Sequence, residues 1–468
     1  MVVYGLLSEN IGVFMNQTYS MQDKLRQLMI LLVPILISQC SLFGMTFFDT
    51  MMSGHASSND LAGVAIGASI WMPVFTGLNG ILFALVPIIA QFMGAKRITD
   101  VPYTVIQGVY LALAMSAVVI ALGIAMTNPI LDLMNINKEV YRVAHEFLVG
   151  ISFGVVPLFL STIFRCFIDT LGYTRVTMVI TIIALPINIM LNYVLIFGKL
   201  GFPRLGGVGA GYASALTYWC IALLSFYVLK RKKPFQDYYV HSRVYPISLT
   251  AWKEQLIIGI PIGFAIFCET SIFAVITLLM SQYSTITMAA YQIAINFASL
   301  LYMVPLSISM ALTIAVGFEV GANRFKDARQ YSYIGIGIAV IMAVLCAIGL
   351  FIFRYQVAGL YTEDRGVLKL AQDFLLYAIF FQLSDAIAAP IQGSLRGYKD
   401  VKITFIMALI SYWIIGLPLG YILADYGQFG AVGYWLGLIF GLAFGAICLS
   451  IRLMIVQRAI IKKNAPCL

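Results

Sequence analysis

The sequence predicts an all-α polytopic membrane protein with twelve transmembrane helices, arranged as two parallel-repeat lobes of six helices each. Of the 468 residues, 61% are hydrophobic and only 10% are charged, whereas soluble globular proteins carry about 25% charged residues. Twelve apolar stretches are each long enough to cross a hydrocarbon core about 30 Å thick. Short motifs from the first half also recur, in the same order, in the second half.

Hydropathy places the spans, and almost no sequence is left over for a soluble domain. The predicted spans are 28–52, 61–90, 103–126, 145–168, 177–197, 209–229, 256–281, 288–316, 331–353, 374–395, 403–424 and 431–451. The long polar connector that starts with Lys-Arg-Lys-Lys-Pro divides six spans from six. The predicted organisation is an N-terminal segment 1–27, an N-lobe 28–229, an inter-lobe linker 230–253, a C-lobe 254–453 and a tail 454–468.

Charge predicts the topology. The formal net charge of +9 would suggest nucleic-acid binding in a soluble protein, but in a membrane protein the distribution of Lys and Arg between alternate loops carries the information. With the N-terminus in the cytoplasm, 22 of the 29 basic residues fall on the cytoplasmic side. Both termini are therefore expected inside, and no nucleic-acid partner is expected.

An internal duplication is visible in three matches. The segment Gly94–Asp100 recurs as Gly321–Asp327, and Leu171-Gly172-Tyr173 recurs as Arg396-Gly397-Tyr398. Asp49 in the first span has an acidic counterpart, Glu269, in the seventh. Because each half has an even number of spans, the repeats are parallel and related by an axis along the membrane normal. This symmetry favours transport by alternating access, with a site expected between the halves.

Three acidic residues lie inside apolar spans: Asp49, Glu269 and Asp385. A charged side chain at mid-helix costs roughly 2.5–3.5 kcal/mol on insertion scales, so such residues are functional candidates. No Lys or Arg lies at the same depth on these helices. Each carboxylate must therefore be protonated, hold a metal cation or meet a cationic substrate. The alternatives are a carboxylate in an aqueous cleft or capping a broken helix, and for Asp49 a solvated residue near the end of its span.

Span five carries Asn188 and Asn192, which lie four residues apart and share one helix face. They could stabilise a protonated or cation-bound Asp49, or simply hold the first lobe together by hydrogen bonds between helices. Pro34 in span one is a candidate helix kink. Gln292 in span eight is a candidate lining residue of the second-half cavity, with packing as the alternative.

No catalytic constellation is present in the sequence. The three histidines lie in loops or at span ends, and there is neither an HExxH motif nor a phosphate-binding Gly-rich loop. The seven cysteines include no CxxC pair, which is typical of small core residues rather than a disulfide framework. An enzymatic function and direct use of ATP are therefore not expected.

These residues together resemble the multidrug and toxic compound extrusion (MATE) family, in its NorM-like branch. The resemblance covers nearly the whole chain, because its motifs occur in order in both halves. They are Pro34, Asp49-Thr-Met-Met-Ser-Gly-His55, Ala90-Gln-Phe-Met-Gly-Ala95, Asn188-Ile-Met-Leu-Asn192-Tyr193, Pro261-Ile-Gly-Phe-Ala-Ile-Phe-Cys-Glu269, Ala289-Ala-Tyr-Gln292-Ile-Ala, Phe381-Gln-Leu-Ser-Asp385-Ala, Leu395-Arg-Gly-Tyr398 and Tyr412-Trp-Ile-Ile-Gly-Leu-Pro418-Leu-Gly.

The resemblance implies export of amphipathic organic cations by an antiporter that is driven by Na⁺ or H⁺. By position, Glu269 and Asp385 look like a second-lobe cation site with Na⁺ as the metal, and Asp49 with Asn188 and Asn192 looks like a first-lobe coupling site. With Gln292, the three acidic residues are also the expected substrate contacts. Some relatives have a Tyr one turn before the second-lobe Asp, and Phe381 departs from this pattern because it offers no oxygen.

The expected partners are small organic cations and the lipid bilayer, with no cofactor and no obligatory protein partner. The expected location is the bacterial cytoplasmic membrane. The main alternative is a flippase for lipid-linked glycans, which shares a two-lobed architecture but would need a basic cavity for a pyrophosphate. A membrane-bound acyl or prenyl transferase is a further alternative, which the missing nucleophile and metal-binding Asp clusters disfavour.

Overall fold

The computed structural model describes residues 15, 17–134, 136–238, 240, 244–362 and 364–463, and within them the regular structure is helical. His241 and Cys467 lie outside these residues. The α-helices are α1 (Met21–Ala56), α2 (Ser58–Leu82), α3 (Leu85–Gly94), α4 (Asp100–Leu133), α5 (Lys138–Ser152), α6 (Val155–Thr170), α7 (Thr174–Phe197), α8 (Gly207–Arg231), α9 (Leu249–Met280), α10 (Thr285–Gly321), α11 (Phe325–Gly359), α12 (Arg365–Gly397), α13 (Val401–Leu409), α14 (Leu417–Asp425) and α15 (Ala431–Lys463). A 3-10 turn at Phe235–Tyr238 and a π-helical segment at Ile410–Gly416 complete the list.

The helices confirm the twelve predicted spans. In the described part of the chain, 11 helices are long and apolar enough to cross a membrane, and the pair α5 and α6, bent by 48°, adds a twelfth span. The second span is interrupted by a turn between α2 and α3. The eleventh span is also composite, because α13, the π-helical segment and α14 follow one another without a loop.

Polar residues at the span ends determine where several helices begin. The hydroxyl of Ser57 accepts a hydrogen bond from the backbone N–H of Asp60 at 3.0 Å, and the hydroxyl of Ser284 accepts one from Thr287 at 3.2 Å. The carboxylate of Asp364 accepts from Gly366 at 2.8 Å. Such caps satisfy N–H groups that have no partner within the first turn of a helix.

The chain forms two contact-dense units, and the change from one unit to the other falls inside two helices. One unit contains Val33–Ile260, and the other combines Gln17–Leu32 with Pro261–Leu468. The changes therefore occur within α1 and α9, next to Pro34 and at Pro261. The lobe and linker boundaries expected from the sequence stay a prediction.

Residues 17–32 are attached to the second unit by a cluster of charges. The ammonium of Lys24 pairs with Asp327 at 2.8 Å, and the Lys24 side chain is only 1% exposed. Arg324 pairs with Asp327 at 3.0 Å and with the buried Glu319 at 3.3 Å, and its guanidinium also donates a hydrogen bond to the carbonyl of Thr18. Buried charges that are paired in this way satisfy one another's hydrogen-bonding capacity.

The first unit holds the segment before Ile260 by uncharged groups instead. The Gln107 side chain donates to the carbonyl of Pro246 at 2.8 Å and accepts from the backbone N–H of Ser248 at 3.0 Å. Gln255 donates to the carbonyl of Thr104 at 3.0 Å. Each unit thus holds the segment that leads into the first span of a repeat. The second unit holds residues 17–32 by ion pairs, and the first unit holds residues 246–255 by side-chain amides.

Helix α15 packs unusually closely against the eleventh span because of its glycines. A Cβ atom added at Gly437 would lie 2.5 Å from the carbonyl oxygen of Gly416, and one at Gly441 would lie 2.5 Å from that of Ser411. Small residues allow such close backbone approach, which is how membrane helices gain van der Waals contact. The glycines therefore fix the distance between α15 and the π-helical segment.

We expect Gly441→Ala to destabilise the protein, because the new methyl group meets a backbone oxygen that cannot move aside. Overpacking costs about 1–3 kcal/mol and exceeds the gain of about 0.5–1 kcal/mol from replacing a mid-helix glycine. Thermal unfolding in detergent measures the effect. The control is Gly349→Ala in α11, where an added Cβ has no neighbour within 4 Å. If the thermal unfolding midpoint of Gly441→Ala is equal to or higher than that of the unchanged protein, as for Gly349→Ala, the packing argument is wrong.

Candidate functional site

In the first unit, Asp49 accepts three side-chain hydrogen bonds. Its Oδ1 accepts from Nδ2 of Asn192 at 2.5 Å and from Nδ2 of Asn188 at 3.1 Å. Its Oδ2 accepts from the hydroxyl of Ser214 at 2.6 Å. The structure therefore brings together Asp49, Asn188 and Asn192, the three residues that the sequence singled out in this half.

These groups are arranged for a negative charge. All three contacts are donated to the carboxylate, and an ionised carboxylate only accepts hydrogen bonds. Hydrogen bonds to a charged group are stronger than those between neutral groups. Among the ion pairs of the described residues, none involves Asp49. The charge is thus stabilised by neutral dipoles rather than by a basic side chain.

One oxygen beside this carboxylate has no partner. Asn192 is 0% exposed, and its Oδ1 is buried without a hydrogen bond among the described atoms. The Oδ1 of Asn188 accepts a hydrogen bond from Asn192 at 3.2 Å. Amide oxygens are suitable ligands for hard cations. The cluster of Asp49, Asn188 and Asn192 can therefore offer oxygen atoms to a cation or accept a proton.

The local sequence explains this geometry. Asn188 and Asn192 are separated by one helical turn on α7, so both amides project from the same face. Ser214 is on α8, which packs against α7. Sequence reasoning missed Ser214, because a small hydroxyl residue in an apolar helix usually bonds to its own backbone, as Thr217 does to the carbonyl of Ala213 at 2.8 Å.

In the second unit, Glu269 and Asp385 form an acidic pair. The phenol of Tyr302 donates a hydrogen bond to Oε1 of Glu269 at 2.7 Å. Asp385 is 4% exposed. The turns that carry the two carboxylates face each other, because Phe273, four residues after Glu269, packs against Phe381, four residues before Asp385, with ring centroids 5.6 Å apart. Two like charges in a medium of low dielectric favour a shared proton or a bound cation. The structure thus brings together the two second-half residues predicted as a cation site.

A tyrosine supplies a hydroxyl group to this acidic pair from a third helix. Tyr302 lies on α10, and its phenol contacts Glu269 directly. Phe381 is buried and packs edge-on against Phe273, with ring centroids 5.6 Å apart. The oxygen that Phe381 lacks is therefore offered from another helix, and only three-dimensional packing could reveal this.

A basic residue of α12 lies at a different depth from the pair. Arg396 lies 11 residues beyond Asp385 on α12, roughly 16 Å along the axis. No ion pair between it and either carboxylate occurs among the described residues. This agrees with the expectation from the sequence that no Lys or Arg on these helices lies at the depth of the carboxylates.

Two further predicted residues lie away from the carboxylates. Gln292 is ten residues before Tyr302 on α10, so it is separated from the acidic pair by roughly 15 Å along the helix. Its role as a substrate contact stays a prediction. Helix α1 continues through Pro34, whose carbonyl accepts a hydrogen bond from the Ser38 hydroxyl at 2.9 Å. The kink predicted at Pro34 also stays a prediction.

The described residues contain no group of three or more His, Cys, Asp or Glu side chains that could hold a metal ion. The acidic pair and the Asp49 cluster instead combine carboxylate, amide and hydroxyl oxygens. Such ligand sets suit hard cations or protons rather than transition metals.

Twelve spans in two repeated halves, each half with an acidic cluster inside its helices, define a polytopic membrane protein with the architecture of a transporter. The MatE family model matches this chain twice, at residues 34–194 and 261–422. The chain belongs to the MatE family. The two matches begin at Pro34 and Pro261 and confirm the internal duplication.

Relatives cover almost the whole chain. A protein named "Probable multidrug resistance protein NorM" from Halalkalibacterium halodurans is 58% identical over 95% of this chain and 97% of its own length. A protein of the same name from Bacillus anthracis is 57% identical over 96% and 100%. A solved eukaryotic MATE transporter shares the fold with a TM-score of 0.85 at 20% identity, covering 95% of this chain and 99% of that one.

We expect Asn192→Ala to destabilise the protein much more when Asp49 is present than in an Asp49→Ala background. A hydrogen bond to a charged group contributes about 1.5–3 kcal/mol, and the double-mutant cycle isolates that coupling. Thermal unfolding at neutral pH measures it.

A second cycle, between Asn192→Ala and Ser53→Ala, is the control. The Ser53 hydroxyl is buried and bonds to the backbone carbonyl of Asp49 at 2.7 Å rather than to its carboxylate. Its coupling to Asn192 should be near zero. Equal coupling in the two cycles would show that Asn192 does not act through the Asp49 carboxylate.

Proposed function

We propose that this chain is a secondary antiporter that exports amphipathic organic cations in exchange for Na⁺ or H⁺ and works by alternating access. The observation that carries the proposal is the acidic pair Glu269 and Asp385, held inside an apolar helix bundle with the Tyr302 phenol at 2.7 Å from Glu269. A negative site at this depth is costly unless a cation or proton regularly occupies it.

The substrate class follows from charge and from the relatives. Multidrug export is supported by relatives named as probable multidrug resistance proteins at 57–58% identity. In both units the carboxylates attract positive charge, and aromatic rings such as Tyr302 and Phe273 can contact flat, lipophilic cations. We infer that drug and coupling ion compete for the same negative groups.

Energetics favour the exchange of an entering cation for the exported one. A membrane potential of about 100 mV is worth about 2.3 kcal/mol per elementary charge, so exporting a monovalent cation costs that much before any concentration gradient is added. One entering Na⁺ or H⁺ cancels the charge term, and a second would add driving force. Two separate acidic clusters, one in each unit, allow either stoichiometry.

The second-unit residues have distinct proposed roles. Asp385, which is the more buried, binds the proton or Na⁺, and Glu269 shares that charge. Tyr302 holds Glu269 through the 2.7 Å hydrogen bond and supplies a neutral oxygen beside the pair. In the first unit, Asp49 is the coupling carboxylate, and Asn188 and Asn192 stabilise its charged form.

The remaining expectations form part of the same proposal. The protein works in the bacterial cytoplasmic membrane with both termini inside, it requires no cofactor or obligatory protein partner, and it catalyses no covalent reaction. The rival flippase function is disfavoured, because a pyrophosphate would meet Asp49, Glu269 and Asp385 in the spans, all of which repel it.

Neutralising the carboxylates should abolish export. We expect Asp49→Asn, Glu269→Gln and Asp385→Asn each to reduce efflux of a fluorescent monovalent cation by more than about tenfold, equivalent to about 1.4 kcal/mol. The reason is that each change removes a charge needed to exchange drug for ion. Efflux from cells with matched expression levels measures this.

Two controls come from the same helices. Glu254→Gln on α9 and Asp373→Asn on α12 remove exposed carboxylates and should leave efflux unchanged. If all three buried-site variants export as well as these controls do, the antiport mechanism is wrong.

Proteoliposomes under separate gradients identify the coupling ion. With the membrane potential clamped, we expect dye export under an imposed Na⁺ gradient, an imposed pH gradient, or both, because the two acidic clusters can bind either ion. Export driven by Na⁺ alone would make Glu269, Asp385 and Tyr302 a sodium site. Export driven by protons alone would assign coupling to carboxylate protonation, and absence of export under both would overturn the proposed function.

A further inference from the structure

The eleventh span contains a π-helical segment beside the acidic pair. Helix α13 ends at Leu409, the π-helical segment covers Ile410–Gly416, and α14 begins at Leu417. A π-helical turn contains an additional residue and often marks a functional position. Since one residue corresponds to about 100° of rotation, the faces of α13 and α14 are out of register with each other.

An aromatic residue of this segment contacts α9 directly beside the acidic pair. The indole N–H of Trp413 donates a hydrogen bond to the backbone carbonyl of Cys268 at 3.2 Å. Cys268 directly precedes Glu269 on α9. The π-helical segment is therefore connected to the acidic pair through the backbone of α9.

The Cys268 carbonyl is an unusual acceptor. Within a helix it already faces the N–H four residues later, and it also accepts the Ser271 hydroxyl at 3.3 Å. The indole of Trp413 is thus an additional donor that comes from a different span. A hydrogen bond from a neighbouring helix to this carbonyl orients the helical turn that contains it. The next residue on that turn is Glu269.

Close packing limits movement of the π-helical segment toward α15. A Cβ at Gly445 would lie 2.6 Å from the hydroxyl of Ser411, and Gly441 and Gly437 contact the same segment equally closely. The segment that carries Trp413 therefore has little room to shift in that direction.

We propose that Trp413 is a positioning residue for cation coupling. Its indole N–H holds the Cys268 backbone so that Glu269 faces Tyr302 and Asp385. This inference rests on the proposed function, because it assumes that Glu269 binds the coupling cation. It adds that the affinity for this cation is set partly from the eleventh span, through a residue that touches neither cation nor drug.

The first test is Trp413→Phe, which keeps an aromatic ring but removes the N–H. We expect the half-saturating concentration of the driving ion, Na⁺ or H⁺, to change by about fivefold, since one neutral hydrogen bond contributes about that factor. Dye affinity at saturating ion should change less. Replacement of Trp413 by 3-benzothienylalanine, which has the shape of tryptophan without the N–H, should reproduce the shift and keeps the test valid if the Phe variant folds poorly.

The matched control is Trp435→Phe. Trp435 is buried in the same unit, where its ring packs against Tyr291, and its indole N–H has no hydrogen-bond partner among the described atoms. This change should lower thermal stability but leave the half-saturating ion concentration unchanged. If Trp413→Phe and the benzothienyl variant behave like Trp435→Phe while Glu269→Gln abolishes export, the positioning role is wrong and the antiport function stands.

A readout that does not require transport separates the two proposals. The losses in melting temperature caused by Trp413→Phe and Glu269→Gln should be non-additive, whereas those of Trp435→Phe and Glu269→Gln should add. If the wild-type protein exports nothing under either gradient, the proposed function fails. In that case non-additivity still supports the link from Trp413 to Glu269, and additivity overturns it.

Discussion

The cost of placing carboxylates inside an apolar helix bundle governs this molecule. Among the described residues, Asp49 in one unit and Glu269 in the other receive amide and hydroxyl dipoles instead of ion pairs, and Asp385 is buried on the turn that faces Glu269. Dipoles stabilise a buried charge only partly, because they leave its net charge in place, whereas a counter-ion neutralises it. A transported cation or a proton can neutralise the charge that the dipoles leave uncompensated. The cost of burying the carboxylates therefore also supports ion exchange.

The two repeats meet this constraint with different chemistry. The first unit surrounds one carboxylate with two amides and a hydroxyl on α7 and α8. The second unit places two carboxylates on facing turns, with the Tyr302 phenol beside Glu269. The segments leading into the repeats differ in the same way, with ion pairs around Arg324 and amide contacts at Gln107. Duplication thus preserved the helix frame while the polar groups diverged.

Much of this could be predicted from sequence, because apolar length and motif order determine spans and repeats. Helical spacing predicted that Asn188 and Asn192 share one face, and the resemblance to the family implied their partnership with Asp49. Ser214 and Tyr302 escaped prediction since a lone hydroxyl in an apolar helix carries no periodic signal, and its partner depends on how helices pack. The π-helical segment was not predicted either, because the sequence around Tyr412 and Trp413 fits an ordinary helix.

The attachment of residues 17–32 to the second unit has a consequence for biogenesis. Thr18 and Arg324 are hydrogen-bonded but separated by 306 residues. At roughly 5–20 residues per second, the ribosome needs about 15–60 s to make the intervening chain. During that interval the ammonium of Lys24, near the start of α1, lacks Asp327, its ion-pair partner in the folded protein. Helix α1 is therefore among the last to complete its packing, although it is made before the other helices described here.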